Sequence, residues 1–373
     1  MPCVVRSQCH PAHDLPKVSV LMPVWNGAAC VSDTLESLLA QSFTDFEIIA
    51  VDDGSTDQTL SILQAYAAKD ARVRPISVAH GGIVHALNAG LSHARGDYVA
   101  RMDADDFCHP DRLALQVAYL DEHPETGLVA SRVSFGGDAE TCHGFMHYIN
   151  WSNGLLSHAD MFAARFRESP LVHPTVMFRR TLVDLHGPYA EGPFPEDYEL
   201  WLRFFAAGVR MAKLPQNLVT WNDPPNRLTR THDNYSDDAF ASLRARYLAA
   251  HLHTQISPSQ ACGQTTEHTP AQTCGQNAGQ AREVYILGAG RMARRRARHL
   301  LDHGVAIAAW IDIDPKKVGN IVEGRRVLSL DQMPPPKTAM FVAYLAQHGA
   351  SDELVSVLAV RGYVQGVDFI LAS

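Results

Sequence analysis

Short apolar runs typical of β-strands alternate with amphipathic helical segments over residues 18–103. The sequence places Val31, Leu35 and Leu38 on one face of a predicted helix, CVSDTLESLLAQSF. Because alternation of this kind covers a parallel sheet with helices, it predicts an α/β fold with a mainly parallel sheet. The predicted strands are VSVLMPVW (18–25), DFEIIAVDD (45–53), RVRPISVA (72–79) and GDYVARMD (96–103).

Two groups of carboxylates follow predicted strands. Asp52 and Asp53 end the second strand, and Asp103, Asp105 and Asp106 follow the fourth. Because ligands bind beyond the carboxyl ends of strands in open α/β sheets, both groups predict one polar site. Like charges this close repel, so a divalent cation is expected, and alternation along the strand would turn Asp103 and Asp105 the same way. The alternative is a surface turn in which Asp106 helps to start the following helix.

Composition and charge narrow the class of protein. The 373-residue chain has room for two or three domains, and its 46% apolar and 19% charged content is ordinary for a soluble globular protein. A net charge of −8 argues against a nucleic-acid partner. The five arginines of RMARRRARH (291–299) are interpreted as a solvated helix face, with a polyanion or membrane-surface patch as the alternative. Scattered cysteines, and the absence of a secretory signal or a bilayer-length apolar run, favour the cytoplasm.

A glutamine-rich stretch divides the chain. Residues 254–280 contain six glutamines and hardly any large apolar side chain, so they predict a flexible linker. The predicted organisation is therefore an N-terminal extension (1–16), a first domain (17–253), a linker (254–282) and a small second α/β domain (283–373).

Five blocks of the first domain closely resemble, in order and spacing, the family 2 glycosyltransferases. They are VSVLMPVWNG, LESLLAQSF, FEIIAVDDGSTDQT, GGIVHALNAGLSHARGDYVARMDADD and FPEDYELWLRF, within residues 17–250. The resemblance implies a GT-A fold of the nucleotide-diphospho-sugar transferase type and an inverting transfer from a nucleotide sugar, with UDP as the expected nucleotide. His85 stands where many relatives have a small residue or arginine, which leaves the donor-sugar contacts open. The Q-x-x-R-W signature of processive synthases is absent, which favours single transfer.

The resemblance assigns the nucleotide contacts to the first two strands. The family positions matching Pro23, Val24 and Asp52 hold the nucleotide base, and the one matching Asp53 supports the same loop. His173, in SPLVHPTVMFRR, lies in a stretch similar to the one preceding the family's catalytic base, and it is expected to face the donor. A structural hydrogen-bonding role is the alternative for this histidine.

The resemblance also implies a metal and diphosphate site. The position matching Asp103 lies near the ribose and the metal, and the one matching Asp105 ligates Mg²⁺ or Mn²⁺. Such a cation neutralises the charge that develops on a departing diphosphate. Arg227, Arg230 and His232 lie where related enzymes close over the diphosphate, and His232 is a further metal-ligand candidate. The alternative is that these three residues tie down a loop.

Inversion by direct displacement requires a base for the acceptor hydroxyl. In PFPEDYELWLRFFAAG, Glu196 and Asp197 stand at a turn ahead of a predicted helix, and the family's base is usually the aspartate of this pair. The resemblance implies Asp197 as base and Glu196 as support or acceptor contact, with the reverse assignment open. Carboxylates at a helix start are also favourable without any catalytic role.

The second domain carries a glycine fingerprint. EVYILGAGRMARRRARHLLDHGVAIAAWIDID reads as strand, glycine turn, helix and strand, with Gly288, Gly290 and Ala293 at G-x-G-x-x-A spacing and Asp312 at the position of a ribose-binding acid. The segment resembles small Rossmann-like modules attached to sugar-modifying enzymes. It is predicted to be an accessory module that either binds NAD(P) or another nucleotide or only keeps the fold.

These observations predict a metal-dependent hexosyltransferase of the cytoplasm that serves polysaccharide or glycoconjugate biosynthesis. Its partners would be a nucleotide-sugar donor and a glycan, lipid-linked or protein acceptor, with peripheral association at the inner face of a membrane as a possibility. Two alternatives stay open at this point: a nucleotide-sugar oxidoreductase that uses the second domain, and a non-catalytic nucleotide-sensing scaffold.

Overall fold

A computed structural model describes residues 15–137, 142–223, 227–256, 282–344 and 350–372. Most of the predicted extension (1–16) and linker (254–282) lies outside these ranges, so both stay predictions. The chain forms two compact units. The first comprises residues 1–156, 171–191 and 209–225, and the second comprises 157–170, 192–208 and 226–373.

The first unit is built on an eight-stranded sheet of order β3-β2-β1-β4-β7-β6-β8-β5. The four strands β3, β2, β1 and β4 are parallel to one another. Strand β7 is antiparallel to both of its neighbours, β4 and β6, while β6 and β8 are parallel. The mainly parallel sheet that the alternating pattern predicts is therefore confirmed. The strands are β1 (Val18–Val24), β2 (Phe46–Asp53), β3 (Val73–Val78), β4 (Tyr98–Arg101), β5 (Phe107–Cys108), β6 (Thr126–Phe135), β7 (Met177–Arg179) and β8 (Arg210–Trp221).

Helices occupy the positions predicted between the first four strands. In chain order the helices are α1 (Val31–Leu39), α2 (Thr59–Ala67), α3 (Ile83–His93), α4 (Arg112–Glu122), α5 (His143–Gly154), α6 (His158–Ala164), α7 (Thr181–His186), α8 (Glu196–Ala206), α9 (Leu228–Thr231), α10 (Asp237–Ile256), α11 (Arg291–Asp302) and α12 (Ala350–Val360). Within the described ranges, no helix combines the length and the apolar character needed to cross a bilayer.

Burial explains the close packing of the first unit. Val31, Leu35 and Leu38 of α1 are fully buried against the apolar side chains of β1 and β2, as the helical periodicity predicts. On α3, a Cβ added at Gly90 would overlap the Leu21 side chain, so glycine is required where this helix approaches the sheet. Parallel pairing places the carboxyl ends of β1, β2 and β4 at one edge of the sheet, and the close packing of α1 and α3 holds the sheet in place.

The second unit contains a six-stranded sheet of order β11-β12-β10-β9-β13-β14. It is parallel except for the β11–β12 pair. Residues that precede the predicted linker share its core: Leu202 of α8 and Leu248 of α10 belong to one apolar cluster with Ile286 and Ala297. The strands are β9 (Glu283–Leu287), β10 (Ile307–Ile311), β11 (Ile321–Val322), β12 (Arg325–Leu328), β13 (Ala339–Tyr344) and β14 (Phe369–Ala372).

Candidate active site

The predicted site residues are divided between the two units. The first unit contains Pro23, Val24, Asp52, Asp53, Asp103, Asp105 and His173. The second contains Glu196, Asp197, Arg227, Arg230, His232, Gly288, Gly290 and Asp312.

Three carboxylates converge in the turn after β4. Asp103, Asp105 and Asp106 each offer an oxygen, and these atoms lie within 4.8 Å of one another. The expected reason for this convergence is wrong, because β4 ends at Arg101 and the aspartates lie beyond it. The turn, and not the alternation of side chains along a strand, brings the three carboxylates together. Oxygen ligands at this spacing suit a hard divalent cation.

Asp106 is not a helix-start residue. Helix α4 begins at Arg112 with Asp111 as its N-cap, so the alternative that placed Asp106 at the helix start is wrong. Asp106 is buried, and its Oδ1 accepts a hydrogen bond from the Asn222 N–H at 2.8 Å. The hydroxyl of Thr34 donates to the Asp106 carbonyl at 2.9 Å. Asp106 therefore ties the acidic turn to α1 and to the end of β8.

A buried arginine supplies part of the positive charge that the acidic turn requires. The Arg101 side chain is 1% exposed, and its NH1 lies 2.5 Å from Asp103 Oδ1. A second buried arginine, Arg112, donates to the Arg101 carbonyl at 2.8 Å and to the Val176 carbonyl at 3.2 Å. Burial lowers the pKa of Arg112. Sequence reasoning missed both arginines, because it assigned the whole compensating charge to a cation.

Asp53 organises the loop between β3 and α3. Its two carboxylate oxygens accept the N–H groups of Gly81 and Gly82, each at 2.9 Å. Nδ1 of His80 lies 2.9 Å from Asp53 Oδ2, and Nδ1 of His85 lies 3.6 Å from Oδ1. Gly82 has a φ of +86°, which a residue with a side chain rarely adopts. The buried carboxylate thus fixes this loop at the carboxyl edge of the sheet.

Asp52 pairs with the last residue of β1, and an exposed tryptophan follows that strand. Asp52 is buried and pairs in register with Val24, and the next residue, Trp25, is 56% exposed. The indole of Trp25 stacks on His80 with ring centroids 4.7 Å apart. Pro23 is half-buried and precedes this exposed end of β1. Sequence reasoning did not single out Trp25, although a tryptophan directly after a buried strand was the available signal.

His173 is buried and hydrogen-bonded. Its Nε2 lies 2.8 Å from the hydroxyl of Tyr189. Burial, with a smaller contribution from Arg101, lowers the pKa of His173 well below 6.5, so the ring is neutral at pH 7. This geometry matches the structural alternative, while a contact with the donor stays a prediction.

Glu196 and Asp197 are the first two residues of α8, not part of a turn ahead of it. Glu196 is buried, and the hydroxyl of Tyr235 donates to its Oε2 at 2.6 Å. Asp197 is half-buried, and its Oδ1 accepts the N–H of Tyr198 at 2.6 Å. Two carboxylates in a first helical turn also interact favourably with the helix dipole. The catalytic roles of both residues stay predictions.

Arg227, Arg230 and His232 lie in and beside the short helix α9, which is held by local hydrogen bonds. The N–H of Arg230 donates to the Arg227 carbonyl at 3.0 Å, and Arg230 is exposed. Nδ1 of His232 accepts the N–H of Asn234 at 3.2 Å. This bond leaves Nε2 as the atom with which His232 would ligate a metal. The diphosphate and metal roles of the three residues stay predictions.

The Asp312 carboxylate holds the glycine turn of the second unit. Gly288 has a φ of +102°, and a Cβ there would lie 3.0 Å from the Tyr344 carbonyl oxygen. Gly290 is the N-cap of α11. The Asp312 carboxylate accepts the N–H groups of Ala289 at 2.8 Å and Asp314 at 2.9 Å. Asp312 thus binds the backbone of its own loop, and nucleotide binding by this module stays a prediction.

Comparison with known proteins identifies the family. The sequence profile described as Glycosyl transferase family 2 matches residues 19–186. EpsE of Bacillus subtilis (strain 168), named as a glycosyltransferase, is 33% identical over 229 residues, which are 60% of this chain and 79% of EpsE. The chain belongs to glycosyltransferase family 2. The predicted resemblance of the sequence to this family is thereby confirmed.

Two further proteins are similar to this family 2 glycosyltransferase. The amylovoran biosynthesis glycosyltransferase AmsE of Erwinia amylovora is 33% identical over 207 residues, covering 54% of this chain and 74% of AmsE. The crystal structure of S. aureus TarS 1-349 in complex with UDP-GlcNAc gives a TM-score of 0.50 at 22% identity, covering 63% of this chain and 66% of that one. The second likeness concerns the fold alone, and it supports the GT-A fold of the transferase domain.

Proposed function

We propose that this family 2 glycosyltransferase moves a sugar from a nucleotide diphosphate donor, with UDP as the nucleotide, to a hydroxyl acceptor with inversion. The convergence of three carboxylates in the turn after β4 carries the proposal. Asp52 and Asp53 stand at the end of β2, and β1 separates β2 from β4 in the sheet. Donor-nucleotide and acidic residues therefore share one edge of the sheet, where ligands of open α/β sheets bind.

The residues of the acidic turn fit Mg²⁺ or Mn²⁺, which take oxygen ligands. Asp105 and Asp103 would hold the cation, because both are partly exposed whereas the Asp106 side chain is buried. When bound, such a cation neutralises charge on the diphosphate leaving group. Arg101 holds Asp103 in position through a contact of 2.5 Å. The rigid pair orients the Asp103 carboxylate before the donor arrives.

The end of β1 and the β3–α3 loop would bind the nucleotide base. The buried Asp52 carboxylate is an acceptor for a base N–H, and the exposed Trp25 ring offers a face on which the base can stack. Pro23 and Val24 position Trp25 at the end of the strand. Asp53 holds the loop that carries His80, the stacking partner of Trp25. His173 is proposed to support the donor site by fixing Tyr189.

In the second unit, Asp197 is proposed as the base that takes the proton of the acceptor hydroxyl. Asp197 is more exposed than Glu196, whose carboxylate is buried and accepts the Tyr235 hydroxyl. Glu196 therefore suits a supporting role at the start of α8. Arg227 and Arg230 are proposed to bind diphosphate oxygens, since guanidinium groups bind phosphate through paired donors, and His232 is proposed as a further metal ligand.

The acceptor is proposed to be a growing polysaccharide or glycoconjugate, either lipid-linked or protein-linked. The relative AmsE is named for amylovoran biosynthesis, and this name supports the class of product. Such a reaction would take place in the cytoplasm, with peripheral association at the inner face of the membrane if the acceptor is anchored there.

Hydrolysis and transfer assays on a panel of nucleotide sugars, with and without Mn²⁺, test this proposal. We expect turnover of at least one UDP-sugar that requires the metal and is lost in Asp105→Ala. Asp45→Ala is the matched control, because Asp45 is exposed in the same unit and should tolerate the same substitution. Unchanged turnover in Asp105→Ala, or no turnover with any donor by a folded protein, would contradict the proposal.

A further inference from the structure

Helix α11 borders an arginine-rich cavity within the second unit. The cavity has a volume of about 690 Å³, which lies in the range of small-molecule sites. Met292 and Ala241 contribute apolar surface to its wall. Its charged lining comprises five arginines at positions 291, 294, 295, 296 and 298 and the three carboxylates of Asp237, Asp238 and Glu323.

Positive charge exceeds negative charge in this lining. Arg295 pairs with Asp238 at 3.0 Å, and Arg298 pairs with Glu323 at 2.9 Å. Within the described residues, the other three arginines of the lining make no ion pair: Arg291, Arg294 and Arg296. A solvated helix face would explain exposed arginines, but it does not explain why several surround one cavity.

Two of these arginines also have buried N–H groups to satisfy. Nε of Arg294 and NH1 of Arg296 are buried, and neither has a hydrogen-bond partner in the part of the chain that the structure describes. Buried polar groups in native proteins are nearly always paired, so these two side chains lack part of the hydrogen bonding that buried guanidinium groups usually have. Burial, together with the nearby Arg244, lowers the pKa of Arg296. An anion in the cavity beside Arg296 would favour its charged form.

We propose that this cavity binds a phosphate-bearing ligand through Arg291, Arg294 and Arg296, with a diphosphate as the best-matched group. Guanidinium groups present forked donors that match phosphate oxygens. A diphosphate has the charge to neutralise most of three arginines, whereas a carboxylate neutralises one. The site includes none of the residues proposed for sugar transfer, so it does not depend on that function. The same diphosphate chemistry occurs in soluble nucleotides and in lipid headgroups.

Calorimetric titration of the full-length protein with inorganic pyrophosphate, in EDTA, tests the site. We expect binding that weakens as salt rises and that falls by about tenfold or more when Arg294→Gln and Arg296→Gln are combined. Arg326→Gln is the matched control, because Arg326 is an exposed residue of β12 in the same unit. No binding, or equal binding by the double variant, would overturn the proposal. So would binding that Asp105→Ala abolishes, since it would then belong to the acidic turn.

A second variant and a second probe complete the test. If the double variant does not unfold cooperatively, the exposed Arg291→Gln replaces it, and weaker pyrophosphate binding is again expected. Flotation with phosphatidylcholine vesicles, with and without phosphatidic acid, distinguishes the sources of the phosphate. Capture that needs phosphatidic acid, requires the same arginines and is reversed by pyrophosphate would identify a lipid headgroup. Pyrophosphate binding without capture would identify a soluble ligand.

Discussion

The guanidinium of Arg101 lies 2.5 Å from a carboxylate oxygen of Asp103, and the arginine side chain is almost completely buried. The acidic turn after β4 therefore contains an internal counter-charge. One of its three carboxylates is already paired with a residue of the protein, so a bound cation would meet a smaller negative charge than the sequence suggests. This pair connects the stability of the turn with the affinity of the proposed metal site.

Replacement of Arg101 should lower the stability of the protein and raise the affinity of the acidic turn for a metal. In Arg101→Met, loss of the contact with the partly exposed Asp103 carboxylate should lower the free energy of unfolding by about 1–3 kcal/mol. Removal of the positive charge should also raise the affinity for Mn²⁺ by about tenfold or more. Urea unfolding and Mn²⁺ titration by paramagnetic resonance measure the two quantities. Arg210→Met, at an exposed position of β8, should change neither. Unchanged Mn²⁺ affinity in folded Arg101→Met would contradict this coupling.

The two carboxylates at the start of α8 should differ in their kinetic effects. Asp197→Asn should lower kcat by about 10²–10⁴-fold, because the acceptor hydroxyl loses its base, while the affinity for the donor nucleotide is kept. Glu196→Gln should have a smaller effect, since the amide oxygen still accepts the Tyr235 hydroxyl. Initial rates at saturating donor, together with nucleotide titration, measure the difference. A larger loss in Glu196→Gln would reverse the assignment.

Local pattern was sufficient for the order of the first strands and helices and for the position of the acidic cluster after the fourth strand. The apolar face of α1 follows from helical periodicity, and the buried strand FEIIAVDD follows from a short, continuous apolar run that ends in turn residues. The burial of Arg101, the last residue of β4, and of Arg112, the first residue of α4, could not be predicted, because arginine side chains are mostly exposed. The bond of Asp106 to Asn222 was missed for a related reason, since the two residues are distant in sequence.

Long-range packing also limited the prediction of the second unit. Composition identified the glutamine-rich stretch, but it gave no signal that helices before this stretch share a core with strands after it. Leu248 of α10 and Ile286 of β9 belong to the same apolar cluster. Similarly, the motif did not predict that the Asp312 carboxylate accepts the backbone N–H groups of Ala289 and Asp314. Such partners depend on the folded backbone and not on the spacing of a motif.

Asp312 should be important for the stability of the glycine turn. Burial alone would raise its pKa, but the N–H bonds from Asp314 and Ala289, with Lys317, hold the pKa below its usual value. The pKa of Asp312 is lower in the folded protein than in the unfolded chain. The stabilisation is therefore fully present at pH values above the pKa of the unfolded chain, and it is lost as the pH falls through the pKa of the folded protein. Asp312→Ala should therefore cost about 1–3 kcal/mol at pH 7 and less under acid conditions.

Urea unfolding of Asp312→Ala at pH 7 and at pH values near the carboxylate pKa measures this difference. Asp331→Ala, at an exposed position in the same unit, serves as the control. An equal loss of stability at all pH values would show that the ionised carboxylate does not hold the turn.

Lys213 should make the stability of the first unit depend on alkaline pH. Its Nζ is buried and donates to the Ser152 carbonyl at 2.5 Å and to the Ser152 hydroxyl at 2.9 Å. Burial, with a smaller contribution from Arg132, lowers the pKa of Lys213 from 10.5 to about 7. Between these two pH values the unfolded chain binds a proton that the folded chain does not. The free energy of unfolding should therefore rise with pH across this window, by at most about 1.4 kcal/mol per pH unit.

Lys213→Met should remove this rise, because methionine has a similar length and no titrating group. Urea unfolding at several pH values between 7 and 10 should give a flatter profile than that of the wild type. Lys69→Met, at an exposed position of the same unit, should keep the wild-type slope. Parallel profiles for Lys213→Met and the wild type would mean that Lys213 stays protonated in the folded protein, because its bonds to Ser152 would then outweigh the cost of burying its charge.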